Sequence, residues 1–550
     1  MREKRTRQGL TVQAIAGTHV VLLGFDMDEA DCDGLLGFAI HRTDHTEGEA
    51  YWLEGLKTFA ETDPGLPPGA KFSTRQHPIQ GFTWSDFSAK PGHDYTYRVV
   101  ALKGSPQALE EAAAVPVRVR TESPAGGRQD IYFNRGAAAS QEYARRFGNR
   151  PPDQVGPAAF TWLSRGLWEA MQEFIAGARG TRDELRVCAY EFHYAPALEA
   201  LRAARQRGAT VRIVYDRRKD NPGEANDAAV AKAGLASVSV RRTSNASAIS
   251  HNKFIVRLRD GEPRAVLTGS TNFSEGGIFG HSNVVHVVEE PRIARAYLRY
   301  WDQLAADPKS AELRPALSAA YPIPAGKPPK GTATVFSPRA SLDALEWYAA
   351  LAAGAKKGLF ATFAFGMHPL FQDVYRTSAA SMRFALLEQA TRPMGAGPER
   401  QAEEAKIASL RRLRENRFAI GSYLRLNRFD RWLGERLSGL NRNVRYVHTK
   451  YMLVDPLGPD PIVVAGSANF SAASSNQNDE NMLVIRGNRR VAEIYLGEFM
   501  RLYNHYAFRE WAARQPAGGS PTFKHLRTDR WWKQYFGDTE RSQQRQYFAG

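Results

Sequence analysis

Apolar residues recur along the central and C-terminal parts of the chain in short runs typical of buried strands, and stretches with helical spacing separate these runs. Strands are predicted at 184–190, 209–215 and 358–365. Helices are predicted at 163–178, 195–207 and 342–355. A strand, a helix and another strand in this succession predict an α/β sheet with some parallel pairing.

Residues 10–120 have a different pattern, with short strands, partial alternation and turn residues between them. The clearest strands are predicted at 20–23, 37–42 and 95–100. This pattern predicts a small β-sandwich, and residues 82–97 resemble the C-terminal strands of a fibronectin type III domain. Such a module would either position a substrate or partner, or form a scaffold packed on the rest of the chain.

Turn-forming residues divide the remainder of the chain. A linker is predicted at 121–155, α/β segments at 156–325 and 326–510, and a basic, aromatic tail at 511–550. The tail contains Arg527, Arg530, Trp531, Trp532, Lys533, Tyr535 and Phe536. So many aromatic residues favour a tail docked on an apolar face over one that stacks bases or lies on a lipid surface.

The second α/β segment contains an arginine-rich insert at 393–440. Its arginines and aromatic residues are Arg411, Arg412, Arg414, Arg417, Arg425, Arg428, Arg431, Arg436, Phe418, Tyr423, Phe429 and Trp432. Two interpretations stay open: a basic, aromatic lip that grips a polyanion, and an amphipathic helix pair whose arginines are solvated.

The composition adds a strongly basic charge, with a formal net charge of +16 at pH 7. A basic protein of this size favours polyanionic partners, either nucleic acid or anionic lipid head groups. Two cysteines in different predicted domains, Cys32 and Cys188, argue against a disulfide framework. They predict a reducing, cytoplasmic setting, although signal-independent export stays open. No run of eighteen apolar residues occurs, so any membrane contact is expected to be peripheral. The oligomeric state is not indicated.

One polar motif occurs twice, once in each α/β segment. The copies consist of His251, Lys253 and Asn272, and of His448, Lys450 and Asn469. Each asparagine belongs to a Gly-Ser-x-Asn-Phe-Ser hexapeptide and follows its histidine by 21 positions. A pattern of three residue types repeated in register indicates two matching half-sites.

These residue types suit the chemistry of a phosphate ester. Residues two apart in a strand point to the same face, so the histidine and lysine of each copy can address one site. Lysine supplies a positive charge and asparagine supplies amide donors for oxygens that gain charge in the transition state. If the copies face each other, one imidazole can attack phosphorus and the other can protonate the leaving oxygen.

The doubled motif resembles that of the phospholipase D superfamily, over roughly residues 156–510. The resemblance implies two α/β halves related by a pseudo-twofold axis, with the active site between them and without a metal or other cofactor. It implies a phosphodiesterase with a covalent phosphohistidine intermediate, later resolved by water or an alcohol. In the family the first histidine is usually the nucleophile, so His251 is expected to attack and His448 to protonate.

The copies differ where the family has an aspartate shortly after the lysine. The second copy has Asp455, seven positions after His448, and the resemblance implies a catalytic role for it. The first copy has Leu258 at the equivalent position, and its nearest aspartate is Asp260.

A second difference lies downstream of the hexapeptides. Glu480 matches the usual acidic position of the family, and we expect it to be catalytic and to serve His251 of the opposite half. The first copy has Ser282 and Asn283 in this region instead. The residues expected to bind substrate are Ser270, Ser467 and Asn283.

The sequence leaves the substrate open. The head group of a glycerophospholipid comes first, because both half-sites lie in one chain, as in the lipid-acting members of the family. A nuclease is the main alternative, supported by the positive charge and the arginine-rich insert. A third reading is a degenerate polyanion-binding protein, motivated by Leu258 in the aspartate position.

Overall fold

The computed structural model of the protein describes residues 1–66, 70–136, 140–148, 150–244, 248–421, 447–513 and 525–550. Two four-stranded antiparallel sheets come first, and two seven-stranded mixed sheets follow them. The predicted fold class, two α/β halves preceded by a small β-sandwich, is confirmed.

The N-terminal sandwich is built from short antiparallel strands. They are β1 Arg2–Arg7, β2 Leu10–Ala16, β3 Val21–Asp26, β4 Gly37–Asp44, β5 Glu49–Trp52, β6 Glu54–Gly55, β7 Phe72–Ser73, β8 Thr83–Asp86, β9 Asp94–Ser105 and β10 Ala108–Arg120. One sheet has the order β1-β2-β3-β8 and the other β10-β9-β4-β5. Alternation along β10 buries Val115, Val117 and Val119 between the sheets. The resemblance to a fibronectin type III domain stays a prediction.

The first half contains one seven-stranded sheet with helices around it. Its strands are β11 Gln129–Phe133, β12 Asp183–Ala189, β13 Thr210–Asp216, β14 Ser239–Arg242, β15 Lys253–Arg259, β16 Glu262–Gly269 and β17 Val284–Val288. Its helices are α1 Ser140–Phe147, α2 Pro152–Val155, α3 Pro157–Ser164, α4 Leu167–Ala176, α5 Ala195–Gln206, α6 Asp220–Lys232, α7 Pro291–Ala305 and α8 Ser310–Ala320. The strand order is β11-β17-β16-β15-β12-β13-β14, with parallel pairing from β12 to β14.

The second half repeats this topology. Its strands are β18 Gly331–Ser337, β19 Gly358–Phe363, β20 Met382–Leu387, β21 Asn416–Ile420, β22 Tyr451–Val454, β23 Ile462–Gly466 and β24 Glu480–Arg486. Its helices are α9 Asp343–Ala353, α10 Pro369–Thr377, α11 Pro398–Arg411, α12 Ala472–Asn476 and α13 Arg489–Ala513, and α14 Glu540–Ala549 follows. The order β18-β24-β23-β22-β19-β20-β21 is that of the first sheet, strand for strand.

One hydrophobic cluster joins the two halves. It contains inward residues of both large sheets and the buried faces of α7 and α13. Tyr297 and Tyr300 of α7 and Tyr495 and Tyr506 of α13 are among its largest fully buried side chains. Because these aromatic side chains contact residues of both sheets, the halves pack as one body and their strand ends can form a common site.

Two predicted segments contain strands of the large sheets. The predicted linker at 121–155 contains β11, an edge strand of the first large sheet. The predicted insert at 393–440 begins with α11 and β21, which occupy the places of α6 and β14 in the first half. Phe418 is buried, but it lies in β21 and not in the helix pair that the structural interpretation of the insert expects. The insert residues after Gly421, which are Arg425, Arg428, Arg431, Arg436, Tyr423, Phe429 and Trp432, lie outside the described residues.

The C-terminal tail packs on the N-terminal sandwich. Trp531, Trp532 and Phe536 belong to the hydrophobic core of the sandwich, and Trp531 Nε1 donates a hydrogen bond to the Leu35 carbonyl (2.8 Å). The expected docking of these aromatic residues is confirmed.

Neither cysteine takes part in a disulfide, and no helix in the described part of the chain is long and apolar enough to cross a bilayer.

Candidate active site

Each histidine–lysine pair lies in a loop that enters a central strand of its sheet, β15 or β22. The residue before each histidine forms a β-bridge with the opposite half: Ser250 with Asp479, and Val447 with Ser282. The two bridges are equivalent in the two halves. Each joins the residue before a histidine to the segment that precedes β24 or β17 in the other half. This reciprocal exchange brings the two half-sites together.

His251 is oriented by a carboxylate from the second half. His251 Nδ1 donates to Glu480 Oε2 at 2.9 Å, and both side chains are buried. The same carboxylate oxygen accepts a hydrogen bond from Ser467 Oγ (2.7 Å). Glu480 therefore contacts His251, as expected, and fixes the tautomer that leaves Nε2 with its lone pair available.

His448 is oriented by an amide from the first half. His448 Nδ1 donates to Asn283 Oδ1 at 2.8 Å, and Ser270 Oγ donates to the same oxygen at 2.8 Å. Asn283 thus takes the place in the first half that Glu480 takes in the second. The two imidazoles have the same geometry but differ in the charge of their partners.

Ser270, Ser467 and Asn283, which are expected to bind substrate, lie behind the imidazoles in this geometry. Both serines are fully buried, and their hydroxyls bond to Asn283 and Glu480. Asn283 in turn faces His448. All three side chains position the imidazoles, because their polar atoms are directed at the orienting groups.

The two lysines adopt the same local geometry. Lys253 Nζ donates to the His251 carbonyl (2.5 Å), and Lys450 Nζ donates to the His448 carbonyl (2.6 Å). Burial lowers the pKa of Lys253 to about 8. Burial and the nearby charge of Lys253 lower the pKa of Lys450 well below its ordinary value. Two buried lysines that repel each other create a site that favours an anion.

Burial also lowers the pKa of both histidines. For His251 the Glu480 carboxylate opposes this effect, whereas for His448 the neighbouring Lys450 adds to it. A phosphate bound between the lysines brings a negative charge that raises the pKa of both imidazoles.

Each asparagine of the motif lies three residues after a glycine, at a position where neighbouring backbone leaves no room for a side chain. A Cβ at Gly269 would lie 2.2 Å from the Val284 carbonyl oxygen, and one at Gly466 would lie 2.3 Å from that of Asn481. These close approaches let the chain turn toward the site. In the described part of the chain, Asn272 Oδ1 and Asn469 Oδ1 are buried without a hydrogen-bond partner. Each of these amide oxygens is therefore available to accept a hydrogen bond from a ligand.

Asp455 lies away from this constellation, which corrects the catalytic role expected for it. It follows the far end of β22 from Lys450 and has a positive φ of 46°. Its carboxylate accepts the backbone N–H groups of Lys356, Lys357 and Gly358 at 2.7–3.2 Å. Asp455 thus holds the start of β19.

Asp260 occupies the matching place in the first half. It also has a positive φ, 55°. Its backbone amide donates to the Arg182 carbonyl, just before β12, and the Asp455 amide likewise donates to the Gly358 carbonyl, at the start of β19. Strand β15 is longer than β22, and a register shift at Leu258 breaks its pairing with β16. The aspartate of the first copy is therefore displaced along a longer strand, which weakens the case for a degenerate site.

Further residues at the site were not identified from the sequence. The Tyr190 ring lies 5.0 Å from the His251 ring and 5.2 Å from Lys253 Nζ, and the His281 ring lies 5.4 Å from the His448 ring. Tyr190 is the last residue of the strand predicted at 184–190, and the sequence did not indicate that this strand pairs with that of Lys253.

Two carboxylates behind the histidine loops were also missed. Asp216 Oδ1 accepts the Ser250 N–H at 2.8 Å, and Glu388 Oε2 accepts the Val447 N–H at 3.0 Å. Asp216 is the last residue of β13, and Glu388 directly follows the equivalent strand β20. Each carboxylate fixes the backbone of the residue before a histidine.

Comparison with known proteins identifies the family. A family model described as "Cardiolipin synthase, PLD-like domain" matches residues 172–305 and 351–503, more than half of the chain. A search of curated proteins found no match.

Several solved structures are similar to this chain. Phosphatidylserine synthase of Haemophilus influenzae Rd KW20 is 12% identical, with a TM-score of 0.42, over 61% of this chain and 84% of the other. Nuc of Salmonella typhimurium, a phospholipase D family member, is 29% identical, with a TM-score of 0.21, over 24% of this chain and 84% of the other. Polyphosphate kinase of Porphyromonas gingivalis is 13% identical, with a TM-score of 0.36, over 59% of this chain and 46% of the other. The family model, which spans both halves and both half-sites, shows that the chain belongs to the phospholipase D superfamily of proteins that act on phosphodiesters.

Proposed function

We propose that this protein cleaves or transfers phosphodiesters through a phosphohistidine intermediate, without a metal in the chemical step. The observation that carries the proposal is the reciprocal pair of contacts, His251 with Glu480 and His448 with Asn283. Each contact fixes Nδ1 of one imidazole and leaves Nε2 for the reacting group.

The difference between the two partners assigns the roles. His251 becomes positively charged when its Nε2 bonds to phosphorus, and the Glu480 carboxylate stabilises that charge. His448 must release its proton, and the neutral Asn283 amide leaves the imidazolium less stabilised than a carboxylate would. We therefore assign His251 as the nucleophile and His448 as the general acid.

The reaction then proceeds in two steps. His251 Nε2 attacks phosphorus, the bond to the leaving oxygen breaks, and His448 gives that oxygen its proton. In the second step His448 accepts the proton of a water or alcohol, whose oxygen attacks phosphorus and releases His251. Lys253 and Lys450 stabilise the phosphoryl oxygens as they gain charge, and Asn272 and Asn469 donate to them.

Two substrates fit this reaction. A glycerophospholipid head group is supported by the presence of both half-sites in one chain and by the description of the matching family, which names a cardiolipin synthase. A nucleic acid strand is supported by the net charge of +16 and by an exposed phenylalanine, Phe365, beside the second half-site. A polyanion-binding protein without turnover is the third candidate.

One experiment tests the reaction class with and without excess EDTA. Purified protein is incubated with phospholipid vesicles and, separately, with single- and double-stranded nucleic acid. We expect turnover of one substrate in EDTA, and its loss in His251→Ala and His448→Ala. Turnover that stops with EDTA would contradict the metal-free mechanism. Activity that survives both substitutions would contradict the assignment of the site. A protein that binds but turns over neither substrate would be the degenerate binder.

A second experiment separates the two histidines. Bis(p-nitrophenyl) phosphate has a leaving group that departs without a proton. We expect His448→Ala to keep much of the initial p-nitrophenol release, because only the general acid is missing. We expect His251→Ala to lose that release, because the bond to phosphorus cannot form. The opposite result would reverse the roles.

A further inference from the structure

A small pocket opens beside the second half-site. Its lining includes Phe365, Gly366, His368, Arg392, Asn469 and Ser471. Asn469 links the pocket to the proposed chemistry, because its buried Oδ1 has no hydrogen-bond partner in the described part of the chain.

The pocket presents one solvent-exposed aromatic ring. Phe365 is 37% exposed, whereas Phe363 and Phe470 in the same lining are buried. A tight turn holds it: Gly366 has a φ of 77°, and a Cβ there would lie 2.5 Å from the Arg392 amide nitrogen. The turn therefore packs directly on the backbone at Arg392, and Phe365 is fixed toward solvent.

The pocket also carries a positive charge. Arg392 Nε donates to Glu403 Oε1 (3.1 Å), and the Arg392 side chain is 39% exposed although that of Glu403 is almost fully buried. Burial, together with the charge of Arg392, lowers the pKa of His368. The exposed guanidinium favours an anionic group in the pocket and disfavours a quaternary ammonium or amine.

The corresponding place in the first half has different chemistry. Ala189 pairs with Lys253 across β12 and β15, and the register of β19 with β22 places Phe363 opposite Lys450. Two residues after Ala189 the first half has Glu191, and two residues after Phe363 the second half has Phe365. The two sides of the bound phosphate are therefore lined by unlike groups.

The pocket lies on the side of the leaving group. The leaving oxygen must come within hydrogen-bond reach of His448 Nε2, which carries the proton. Asn469 belongs to the same half-site as His448, and the pocket extends from Asn469. An alcohol that departs from phosphorus toward His448 thus leaves on the side of the site to which this pocket belongs.

We propose that the mouth of this pocket, formed by the exposed Phe365 ring and the Arg392 guanidinium, is the leaving-group subsite, and that it selects an alcohol with a flat ring and a neighbouring negative charge. The ring stacks on Phe365 and the charge meets Arg392. Both features occur together in the nucleoside and the next phosphate of a single-stranded nucleic acid. The inference rests on the proposed reaction and chooses the nucleic acid strand over the lipid head group.

The test uses the full-length protein and thymidine oligomers in which one internal residue lacks its base. Cleavage rates are measured on both sides of the abasic residue, for wild type, Phe365→Ala and Phe365→Tyr. We expect wild type to cleave about tenfold more slowly where the leaving residue is abasic, because base stacking is lost. Phe365→Ala should lose about tenfold on the intact oligomer and show no such difference, and Phe365→Tyr should behave as wild type. Phe87→Ala, an equally exposed phenylalanine in the N-terminal sandwich, is the matched control.

Other results would overturn the inference. Phe365→Ala could cleave the intact oligomer as well as wild type, or could lose the same factor on both oligomers, as a purely structural defect would. Head-group release from phosphatidylglycerol vesicles without strand cleavage would reject this subsite but leave the proposed reaction in place. Consumption of neither substrate, or full activity of His251→Ala, would instead reject the proposed function itself.

Discussion

At the scale of single residues, the feature that distinguishes the two half-sites is the charge of the group behind each imidazole. Glu480 and Asn283 occupy equivalent positions, and each bonds to a serine of its own half and a histidine of the other. A carboxylate stabilises an imidazolium more than an amide does. In the proposed mechanism, this difference of one functional group separates the nucleophile from the acid.

Replacement of the carboxylate tests this argument. In Glu480→Gln the side chain keeps its size, but the charge that stabilises the phosphorylated His251 is lost. We expect kcat to fall by about a hundredfold, within the range of acid–base effects, with little change in the melting temperature. Steady-state kinetics and thermal unfolding of the same preparation check both parts.

The reciprocal variant, Asn283→Asp, changes the other imidazole. A carboxylate beside His448 raises its pKa, so the proton is released less readily in the first step. We expect the pH optimum of kcat to move upward by about one unit and kcat to fall. An unchanged pH profile in Asn283→Asp would contradict the assignment of His448 as the acid.

The lysines predict a pH limit of their own. Burial lowers the pKa of Lys253 to about 8, and a lysine is charged only below its pKa. Because the charged form stabilises the phosphate, we expect kcat/KM, which reports the free enzyme, to fall above about pH 8. In Lys253→Arg the guanidinium stays charged, so the residual activity should not show this fall. A wild-type profile that stays flat to pH 10 would contradict a catalytic lysinium.

At the scale of elements, the strand ends decide which motif residues meet. The sequence correctly predicted β12 and β19, the neighbours of the strands that carry the two motifs, because their apolar runs are local signals. It did not predict that Asp455 lies at the far end of β22, since the family pattern gives a spacing and no direction. Its carboxylate serves three backbone N–H groups at the start of β19.

Asp455→Ala separates structure from chemistry. Removal of the carboxylate leaves three backbone donors of residues 356–358 without their acceptor, which costs about 2 kcal/mol. We expect the melting temperature to fall by several degrees while kcat stays within about twofold of wild type. Differential scanning fluorimetry and the phosphodiesterase assay measure the two effects. A large loss of kcat at unchanged stability would return Asp455 to the catalytic set.

At the scale of the whole molecule, buried ion pairs join elements that are far apart in sequence. Arg165, between α3 and α4, donates to Glu498 of α13 (2.6 Å), and Arg501 donates to the same carboxylate (2.8 Å). Arg165 also donates to the Phe133 carbonyl of β11. This cluster connects the first half to the long helix of the second.

Glu498→Gln is expected to destabilise the whole protein. The change leaves Arg165 and Arg501 buried without a compensating charge, at a cost of about 3 kcal/mol. The same carboxylate predicts a pH dependence, because the two arginines lower its pKa to about 2 against burial. Its stabilising effect is present above the unfolded pKa of 4.5 and is lost as the pH falls toward 2. Denaturant unfolding between pH 3 and 7 should show a smaller acid dependence in Glu498→Gln than in wild type.

The sequence by itself determined the repeated histidine, lysine and asparagine residues, the two α/β halves and the family to which the chain belongs. These features are encoded locally, in residue types, short spacings and apolar periodicity. Tertiary structure decided which groups orient the imidazoles, since Glu480 lies 229 positions from His251 and Asn283 lies 165 from His448. It also decided that Ser270 and Ser467 position other groups, and that Phe365 faces the pocket where the first half has Glu191. Such contacts depend on strand register and on the packing of one half against the other, and no local pattern in the chain specifies them.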